Sequence, residues 1–402
     1  MSTSGERTEH SGQLAGPARK AAAAKMPGML SRRRVITILG AVAGLPILPA
    51  GDEPNNVTRL HRWQGTALGS PSYILLHHPD RGAAEQAVAQ CVAEIERLEK
   101  KFSLYRGDSE ITRLNRHGRL ESPSHDFLAL LSECQRFSEL SGGAFDVTVQ
   151  PLWNVYAAHF FGSESPSPQG PEPRFIEQAL ALVDWQGVDL TSRHIALARS
   201  GMGLTLNGIA QGYLTDRIAD ILRRNGCDRV LADMGRSEIL LVGHRPDGGA
   251  WRVGLADPLA PDQVAVTLDL ADQCISTSGG YGTKFEATGR HHHLFDPTTG
   301  MSAGHYIAVS VVAVSTMVAD ALSTALYVTP PERSRRLLAA FPDAVSWLPF
   351  LTDRDISSAG DRLGGRAMEA RKSANAHSPI ADHPPGGLCL TQRTKSANTA
   401  GR

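Results

Sequence analysis

The chain has 402 residues, 41% of them hydrophobic, which suits one large folded domain with tails or roughly two to three smaller ones and excludes a wholly disordered protein. Its 41 basic and 41 acidic residues give a formal net charge of zero. With no net charge, the protein has no overall electrostatic attraction for nucleic acid or an anionic membrane. We therefore predict no nucleic-acid partner. Five widely spaced cysteines without a CxxC pair predict neither a disulfide framework nor a thiolate metal site.

Residues 1–50 are predicted to be an N-terminal extension that contains an export signal. Three arginines at positions 32–34 precede an apolar run over residues 35–48, and Pro49 and Gly51 follow it. An arginine pair before a short apolar run is typical of twin-arginine signals. The run is shorter than the roughly 20 residues of a membrane-spanning helix, so an integral membrane protein is not predicted. We expect the twin-arginine export machinery to deliver this protein to the periplasm.

Residues 58–356 are predicted to form the folded part of the chain. Apolar residues at steps of three and four predict helices, and short β-branched runs predict strands. Because the two kinds of element do not alternate strictly, we predict an α+β fold with mixed helices and a largely antiparallel sheet. The predicted helices cover residues 84–102, 127–137, 209–224 and 318–327, and the predicted strands cover residues 73–76, 194–198, 229–232, 251–256, 264–270 and 307–314.

Two stretches are predicted to lack regular structure. Residues 162–173 read GSESPSPQGPEP, a composition typical of a surface loop. Residues 357–402 contain only four members of the Leu, Ile, Val and Phe set. Such a segment cannot offset the entropy lost on ordering, so we predict a disordered C-terminal tail.

The predicted helix at residues 318–327 contains the first candidate for chemistry. Asp320 and Thr324 lie four residues apart, which puts a carboxylate and a hydroxyl on one helix face. Both are hard oxygen ligands that suit Mg²⁺. A solvated helix face is the ordinary alternative for such a pair. Apolar neighbours all round the helix instead predict burial, and a buried carboxylate needs a partner or a metal.

Two glycine-containing segments are candidates for binding phosphate. Residues 204–213 begin like a strand, break at Gly208 and enter a helix. A glycine there lets the backbone approach a ligand, and the helix N-terminus favours an anion such as a pyrophosphate, although a plain strand-to-helix turn is the alternative. The sequence TSGGYG at residues 277–282 offers hydroxyls and backbone amides to a phosphate.

Histidines and aromatic residues offer weaker indications. Three consecutive histidines at residues 291–293 suggest zinc, but in a strand at most two of them can converge on one side. Tyr105 and Phe145 each lie beside a polar residue, as stacking on a heterocycle would require, with core packing as the alternative.

Seven segments, taken in order, resemble the ApbE family of flavin transferases. The resemblance spans residues 62–345 and rests on ALGSPSYI, FSLYRGDSEITRLN, SGGAFDVTVQPLW, LTLNGIAQGYLTDRIADIL, STSGGYGTKF, HLFDPTTG and VADALSTAL. Several of these, with the twin-arginine leader, look most like the NosX branch, which serves nitrous-oxide reductase maturation. Family members take FAD as substrate and, with Mg²⁺, move its FMN half onto a Ser or Thr hydroxyl of a target protein, releasing AMP.

The resemblance implies the following site residues in this chain. Mg²⁺ would be bound by the side chains of Asp320 and Thr324 and by the backbone carbonyl of Gly208. FAD would be contacted by Leu68, Tyr105, Ala144, Phe145, Asp146, Gln211 and Thr277. The implied acceptor is the periplasmic domain of a membrane flavoprotein.

Three positions depart from the family's pattern. Leu68 begins the triplet LGS where Met-Gly-Thr is frequent, and Gln211 stands where Lys is frequent. The second change removes a positive charge near the phosphates, so activity is expected to depend more on the metal. Arg236 and Ser237 follow Gly235 where a paired small residue is common.

The implied chemistry is phosphoryl transfer, in which positioning and charge neutralisation do most of the work. Asp320 would contribute to catalysis by holding the metal. His293 is the candidate base that takes the proton from the incoming hydroxyl, and Asp296, in the turn after it, is the candidate that orients it.

Two alternative functions are compatible with the same residues. A non-catalytic FAD-binding electron-transfer or assembly protein of the periplasm would keep Tyr105 and Phe145 but would not need Asp320. A metallochaperone would use the histidines at residues 291–293.

Overall fold

The computed structural model describes residues 59–258 and 263–349 and a strand at residues 387–390. The predicted export signal and most of the predicted tail lie outside the described residues, so both stay predictions. One strand, Gly387–Leu390, falls within the segment predicted as tail. Among the described residues, every helix is too short or too polar to cross a membrane.

The secondary structure of the described residues mixes α-helices and β-strands. The helices are α1 (Arg81–Phe102), α2 (Glu110–His117), α3 (His125–Ser141), α4 (Gln150–Phe161), α5 (Pro173–Leu180), α6 (Ala210–Arg224), α7 (Thr316–Val328) and α8 (Pro331–Ala339). The strands are β1 (Arg59–Ala67), β2 (Ser70–His78), β3 (Arg119–Glu121), β4 (Val188–Leu190), β5 (His194–Leu197), β6 (Val230–Asp233), β7 (Glu238–Val242), β8 (Trp251–Ala256), β9 (Val264–Leu270), β10 (Gln273–Gly279), β11 (Ala308–Ala313), β12 (Val345–Pro349) and β13 (Gly387–Leu390).

The strands form three sheets, and every paired contact is antiparallel. The main sheet has eight strands in the order β1-β2-β6-β7-β10-β11-β12-β13. A three-stranded sheet has the order β3-β5-β4, and β8 pairs with β9 in a hairpin. The predicted α+β fold with a largely antiparallel sheet is confirmed.

The main sheet has two different faces because side chains alternate along each strand. In β7, Leu240 and Val242 point into the large core shared with α1, α3, α6 and α7, and we call this side the helical face. Ile239 and Leu241 point to the other side, where they pack with Trp251 and other residues of the β8–β9 hairpin. We call that side the hairpin face.

Helices α6 and α7 lie side by side on the helical face. In α7, the hydroxyl of Ser315 caps the N-terminus by accepting from the Val318 N–H, and the helix ends just before Pro330. In α6, the helix runs to Arg224, and Gly226 in the left-handed region (φ 73°) follows it. Both helices agree with the predicted ones to within about two residues at each end.

Two sequence-based predictions of local structure need correction or extension. Residues 204–207 form no strand. The Asn115 side chain occupies the backbone groups of Leu204: it accepts from Leu204 N at 2.7 Å and donates to Leu204 O at 2.8 Å. Strand β10 was not predicted, although it lies at the centre of the main sheet between β7 and β11. Its sequence, QCISTSG, has too few apolar residues to show the alternation typical of strands.

Candidate active site

Asp320 lies where α7 packs against the first turn of α6. The Gly212 N–H donates to Asp320 Oδ2 at 2.9 Å, and no described residue donates to Oδ1. The approach requires glycine, because a Cβ on Gly212 would lie 2.5 Å from the carbonyl oxygen of Thr316. Burial raises the pKa of Asp320 to about 7. A cation beside this carboxylate would keep it ionised.

Thr324 and Gly208 meet beside Asp320. Thr324 lies one helical turn after Asp320, and a Cβ on Gly208 would come within 3.0 Å of Thr324 Oγ1. The backbone before α6 therefore packs directly onto the Thr324 side chain. The structure brings the three residues predicted to bind metal into one cluster.

Asp216 connects the two helices that carry this cluster. Its carboxylate accepts from Ser315 Oγ at 2.7 Å, from Thr316 N at 2.7 Å and from Met317 N at 3.0 Å. It thereby occupies the N-terminus of α7, where backbone N–H groups lack partners within the helix and negative charge is favoured. Asp216 holds α7 in place relative to α6, a function that the sequence analysis did not assign to it.

A line of hydroxyl groups lies between β10 and α7. Ser276 and Ser278 lie on the helical face of β10, two and four residues after Cys274, which belongs to the same core. Ser278 Oγ lies 3.1 Å from Thr324 Oγ1 and 2.8 Å from Ser323 Oγ. The sequence analysis included Ser278 in the TSGGYG run and Ser276 and Ser323 only in the segments of family resemblance, without a link to Asp320 or Thr324.

Thr277 is not part of this cluster. Its side chain points to the opposite side of β10 from its neighbours, and its hydroxyl lies 2.8 Å from Ser310 Oγ on β11. Because side chains alternate along a strand, Thr277, a predicted FAD contact, points away from Asp320. Ser278 instead lies next to Thr324, one of the predicted metal ligands.

Glu238 is a second buried carboxylate near the cluster. It is 5% exposed, and it accepts from Ser237 Oγ at 3.1 Å and from Ser276 Oγ at 3.3 Å. Burial, together with the negative charge of Asp320, raises the pKa of Glu238 well above its ordinary value. A buried carboxylate whose proton affinity is raised by a second carboxylate is typical of a functional site.

Leu68 and Tyr105 meet at the tight turn between β1 and β2. Leu68 and Gly69 both have positive φ, 49° and 84°, as a two-residue hairpin turn requires. A positive φ costs conformational free energy for a residue other than glycine such as Leu68. The Leu68 N–H donates to Glu99 Oε1 at 3.1 Å. The Tyr105 side chain is 68% exposed, and its ring packs against the turn. The contact is close, since a Cβ added to Gly69 would lie 2.6 Å from that ring. Two predicted FAD contacts thus share one exposed edge.

Gln211 connects this turn to α6. Its side-chain amide donates to Ala67 O at 3.4 Å, and the residue is 8% exposed. A Cβ on Gly235 would lie 3.0 Å from Gln211 Cγ and 2.6 Å from Glu238 Oε2, so Gln211 and Glu238 both lie against Gly235. The uncharged Gln211 is therefore placed between the Leu68 turn and the buried carboxylate.

Residues 144–146 are held close to the turn before α6. Thr205 N donates to Val147 O at 2.8 Å, which places the two segments side by side. Phe145 is buried in the core against Phe137, with the ring centroids 5.9 Å apart, so an FAD contact through its side chain is not available. Ala144 is half-buried beside it.

Asp146 makes three hydrogen bonds within the protein. Its Oδ1 accepts from Thr148 N at 2.7 Å and from Thr148 Oγ1 at 2.6 Å, and its Oδ2 accepts from Trp185 N at 3.2 Å. Burial raises the pKa of Asp146. Its carboxylate therefore fixes the local loop, whatever further contact it makes.

His293 has a defined tautomer, but not through the predicted partner. Its Nδ1 lies 3.2 Å from Thr283 O and must donate, which leaves Nε2 as the basic nitrogen. Burial lowers the pKa of His293 to about 4, so the ring is neutral near pH 7. The prediction that Asp296 orients His293 is wrong, because Asp296 Oδ1 instead accepts from Thr298 N and Oγ1 at 2.8 and 2.7 Å.

The other two histidines do not join His293 in a metal site. The His291 ring packs between Tyr156 and Phe160, at centroid distances of 5.8 and 5.3 Å. His292 uses both nitrogens: Nε2 donates to Ala303 O at 3.0 Å, and Nδ1 accepts from Leu294 N at 3.2 Å. Within the described ranges, His, Cys, Asp and Glu side chains form no group of three that suits a metal ion.

Comparison with known proteins decides which family this is. The sequence pattern of the ApbE family matches residues 68–348. This chain belongs to the ApbE family. A Vibrio cholerae protein named FAD:protein FMN transferase is 30% identical over 310 residues, covering 75% of this chain and 90% of that protein. A Treponema pallidum protein of the same name is 33% identical over 317 residues, covering 72% and 85%.

Solved structures of ApbE proteins share the fold. The flavin transferase ApbE from Vibrio cholerae superposes with a TM-score of 0.64 at 27% identity, covering 74% of this chain and 95% of that one. The apo form of flavinyl transferase ApbE from Pseudomonas stutzeri gives a TM-score of 0.62 at 28% identity, covering 74% and 93%.

The ApbE cluster at Asp320 fits a magnesium ion by its chemistry. The candidate donors are a carboxylate, a hydroxyl and a backbone carbonyl, all oxygen atoms, which Mg²⁺ prefers over the nitrogen and sulfur ligands typical of zinc. When Asp320 is ionised, its buried carboxylate needs a compensating positive charge. Two surface cavities of about 450 and 370 Å³ lie elsewhere, at the three-stranded sheet, and contain none of the predicted metal or FAD residues.

Proposed function

We propose that this ApbE-family transferase moves the FMN half of FAD onto a Ser or Thr hydroxyl of a protein acceptor and releases AMP. One observation carries the proposal. Asp320, buried and oriented by the Gly212 N–H, meets Thr324 and Gly208 in a cluster built from two of the segments that resemble the family. The names of the curated relatives support the same activity.

The proposed reaction assigns a task to each part of the site. When bound, Mg²⁺ would neutralise the pyrophosphate charge that develops as AMP leaves. Asp320, Thr324 and the Gly208 carbonyl would hold the ion. The exposed edge at Leu68 and Tyr105 would receive the rings of FAD.

His293 is the proposed acceptor of the hydroxyl proton. Its Nδ1 is held by Thr283 O, so Nε2 carries a free lone pair in the neutral ring. A pKa of about 4 makes it a weak base, and it becomes effective only as the hydroxyl oxygen starts to bond to phosphorus.

We further propose that the protein acts in the periplasm, on the periplasmic domain of a membrane flavoprotein that supports nitrous-oxide reductase maturation. The arginines at residues 32–34 and the resemblance to the NosX branch support this placement. Replacing Arg32 and Arg33 by Lys should keep the protein in the cytoplasm, because the export receptor reads the arginine pair rather than positive charge. Normal amounts of the variant in the periplasm would exclude the twin-arginine assignment.

The test of the activity uses the purified protein, FAD, Mg²⁺ and the candidate acceptor domain. Mass spectrometry should show FMN attached to one Ser or Thr of the acceptor, with an equal amount of AMP released. An acceptor in which that Thr is replaced by Val keeps its shape and should carry no FMN. Unlabelled wild-type acceptor, or label on the Val variant, would mean that the acceptor is misidentified.

The two alternative functions have less support from the geometry. A non-catalytic FAD carrier would not require the contact that orients Asp320 through Gly212. A metallochaperone would require converging imidazoles, whereas the His291 and His292 rings are committed to separate surroundings.

A further inference from the structure

Four polar groups between β10 and α7 form an unbroken chain of hydrogen bonds. Thr324 Oγ1 lies 3.1 Å from Ser278 Oγ, and Ser278 Oγ lies 2.8 Å from Ser323 Oγ. Ser323 Oγ in turn lies 2.9 Å from the backbone carbonyl oxygen of Asp320. The chain therefore starts and ends at the two residues proposed to bind Mg²⁺.

The direction of this chain follows from its last member. A carbonyl oxygen only accepts, so Ser323 must use its single proton to donate to Asp320 O. Ser323 must then accept from Ser278, and Ser278, whose proton is now used, must accept from Thr324. The hydroxyl proton of Thr324 is thereby directed at Ser278. Among the described residues, no other group makes a hydrogen bond to Thr324 Oγ1, so its lone pairs are left for a ligand.

Ser276 does not reverse this direction. Its hydroxyl donates to Glu238 Oε1 at 3.3 Å and lies 3.5 Å from Ser323 Oγ. Both hydroxyl protons are then committed, that of Ser276 to Glu238 and that of Ser323 to Asp320 O, so neither serine donates to the other and Ser323 still accepts from Ser278.

We propose that Ser278 and Ser323 are positioning residues that fix the Thr324 hydroxyl with its lone pairs available to the cation. This inference rests on the proposed function, since it needs a cation at Asp320 and Thr324. A hydroxyl that binds a metal must give its proton to another acceptor, and an unfixed hydroxyl would lose rotational freedom on binding. The two serines impose that orientation before the metal arrives.

Strand and helix geometry explain why these residues act together. Alternation along β10 places Ser278 on the helical face, while Thr277 points away. Ser323 and Thr324 are adjacent on α7, so one serine of the strand reaches both. The arrangement requires hydroxyls at three positions and depends on neither FAD nor the acceptor.

The experiment measures binding of Mn²⁺ alone, as a paramagnetic probe of the Mg²⁺ site, by electron paramagnetic resonance on the purified full-length protein. Ser278→Ala should weaken Mn²⁺ binding about ten-fold, the range seen when a group that orients a metal ligand is removed. Ser278→Thr keeps the hydroxyl on a strand that tolerates β-branched residues and should restore affinity to within about two-fold of wild type. Ser323→Ala should cause a smaller loss, because Ser278 still accepts from Thr324.

Ser334→Ala is the matched control. Ser334 lies on α8 and is as buried as Ser323, and its hydroxyl lies 2.9 Å from Tyr306 Oη, so its loss tests the general effect of removing a buried hydroxyl. Its Mn²⁺ affinity should equal that of wild type. Thermal unfolding of each variant without metal separates a loss of folding from a loss of binding.

Three outcomes distinguish the inference from the proposed function. Equal Mn²⁺ affinity of Ser278→Ala and wild type, in a wild-type protein that transfers FMN, would overturn the inference alone. Ser278→Thr binding as weakly as Ser278→Ala would also overturn it, because the hydroxyl would then be irrelevant. Hydroxyl-dependent Mn²⁺ binding in a wild-type protein that transfers no FMN would support the inference and overturn the proposed function.

Discussion

The two faces of the main sheet are built from the same strands but have different chemistry. On the hairpin face, Ile275 of β10 packs with Leu241 and Trp251 in an apolar cluster. On the helical face, the apolar core continues along β10 only to Cys274, after which Ser276 and Ser278 face Asp320 and Thr324. Burial is comparable on both sides, so burial alone does not account for the serines.

The difference shows which face of the sheet contains buried polar groups that lower stability and serve function. A buried hydroxyl or carboxylate is favourable only when its hydrogen bonds are complete, and two buried acids near each other are costly. The hairpin face also has buried polar groups, Asp233 and Ser310, but its core around Leu241 and Trp251 is apolar and holds the sheet together. Variants on the two faces should therefore separate stability from metal binding.

The largest expected effect is the loss of transfer in Asp320→Ala. Removing the carboxylate should reduce FMN transfer and AMP release by about a hundred-fold or more, because a direct metal ligand matters more than the groups that orient it. AMP release would be followed by chromatography. A variant that is folded, as judged by its unfolding transition, and still releases AMP at the wild-type rate would show that Asp320 does not hold the metal.

The second effect concerns the contact between α6 and α7. Gly212→Ala places a Cβ within 2.5 Å of the Thr316 carbonyl oxygen and should destabilise the protein by roughly 1–3 kcal/mol while also weakening Mn²⁺ binding. Gly254→Ala on the hairpin side is the control. Its Cβ would lie 3.2 Å from the methyl groups of Val264, which is partly exposed and can shift, so a change below about 1 kcal/mol is expected. Denaturant unfolding of both variants gives the comparison, and equal losses would contradict it.

The third effect is a loss of stability without a loss of binding. Leu241 is fully buried on the hairpin face, so Leu241→Ala should lower the free energy of unfolding by about 2–5 kcal/mol. Its Mn²⁺ affinity, measured below the unfolding transition, should stay at the wild-type value. A parallel fall in affinity would show that the two faces are not independent.

The smallest effect is a change of stability with pH. Burial raises the pKa of Asp320 from 3.8 to about 7 in the folded protein. Between those values the folded state keeps a proton that the unfolded state has released, so the metal-free protein loses stability as pH rises from about 4 to about 7.

Mg²⁺ binds the ionised carboxylate, so the gain in Tm on adding Mg²⁺ should grow over the same pH range and level off above it. Asp320→Asn keeps an oxygen for the Gly212 N–H and has no titration, so it should show neither trend. Calorimetry of both proteins with and without Mg²⁺ tests this, and a Tm gain that is independent of pH would exclude Asp320 as the titrating group.

Sequence patterns predicted the part of the site that lies within one element. Asp320 and Thr324 are one helical turn apart, and the apolar composition of α7 predicted their burial. The metal role of Gly208 came from the family resemblance and stays a prediction, and the structure places Gly208 against Thr324. The helices and strands that were predicted are present because each had a clear apolar period or a distinct end signal.

The groups that orient these residues were not predictable in the same way. Ser278 and Asp216 act on partners 46 and 100 positions away, and no local pattern encodes such pairings. Thr277 came from the family resemblance as an FAD contact, and Ser278 received no role of its own because β10 was not predicted as a strand, so the alternation of its side chains was not applied. Asp296 was assigned to His293 by closeness in sequence, whereas a backbone carbonyl from residue 283 performs that task.

The Asp216 cap also has a kinetic consequence. The hydrogen bond from Thr316 N closes a loop of 100 residues, and within that loop β6, β7, β10 and β11 must first pair. Contacts so distant along the chain form late, because closing a long loop loses entropy that the contacts of shorter loops must first offset. A growing polypeptide that has not yet reached residue 315 has α6 but nothing for Asp216 to bind. The ability to capture a divalent ion would therefore appear in one of the last folding steps, and its appearance would mark completion of the sheet.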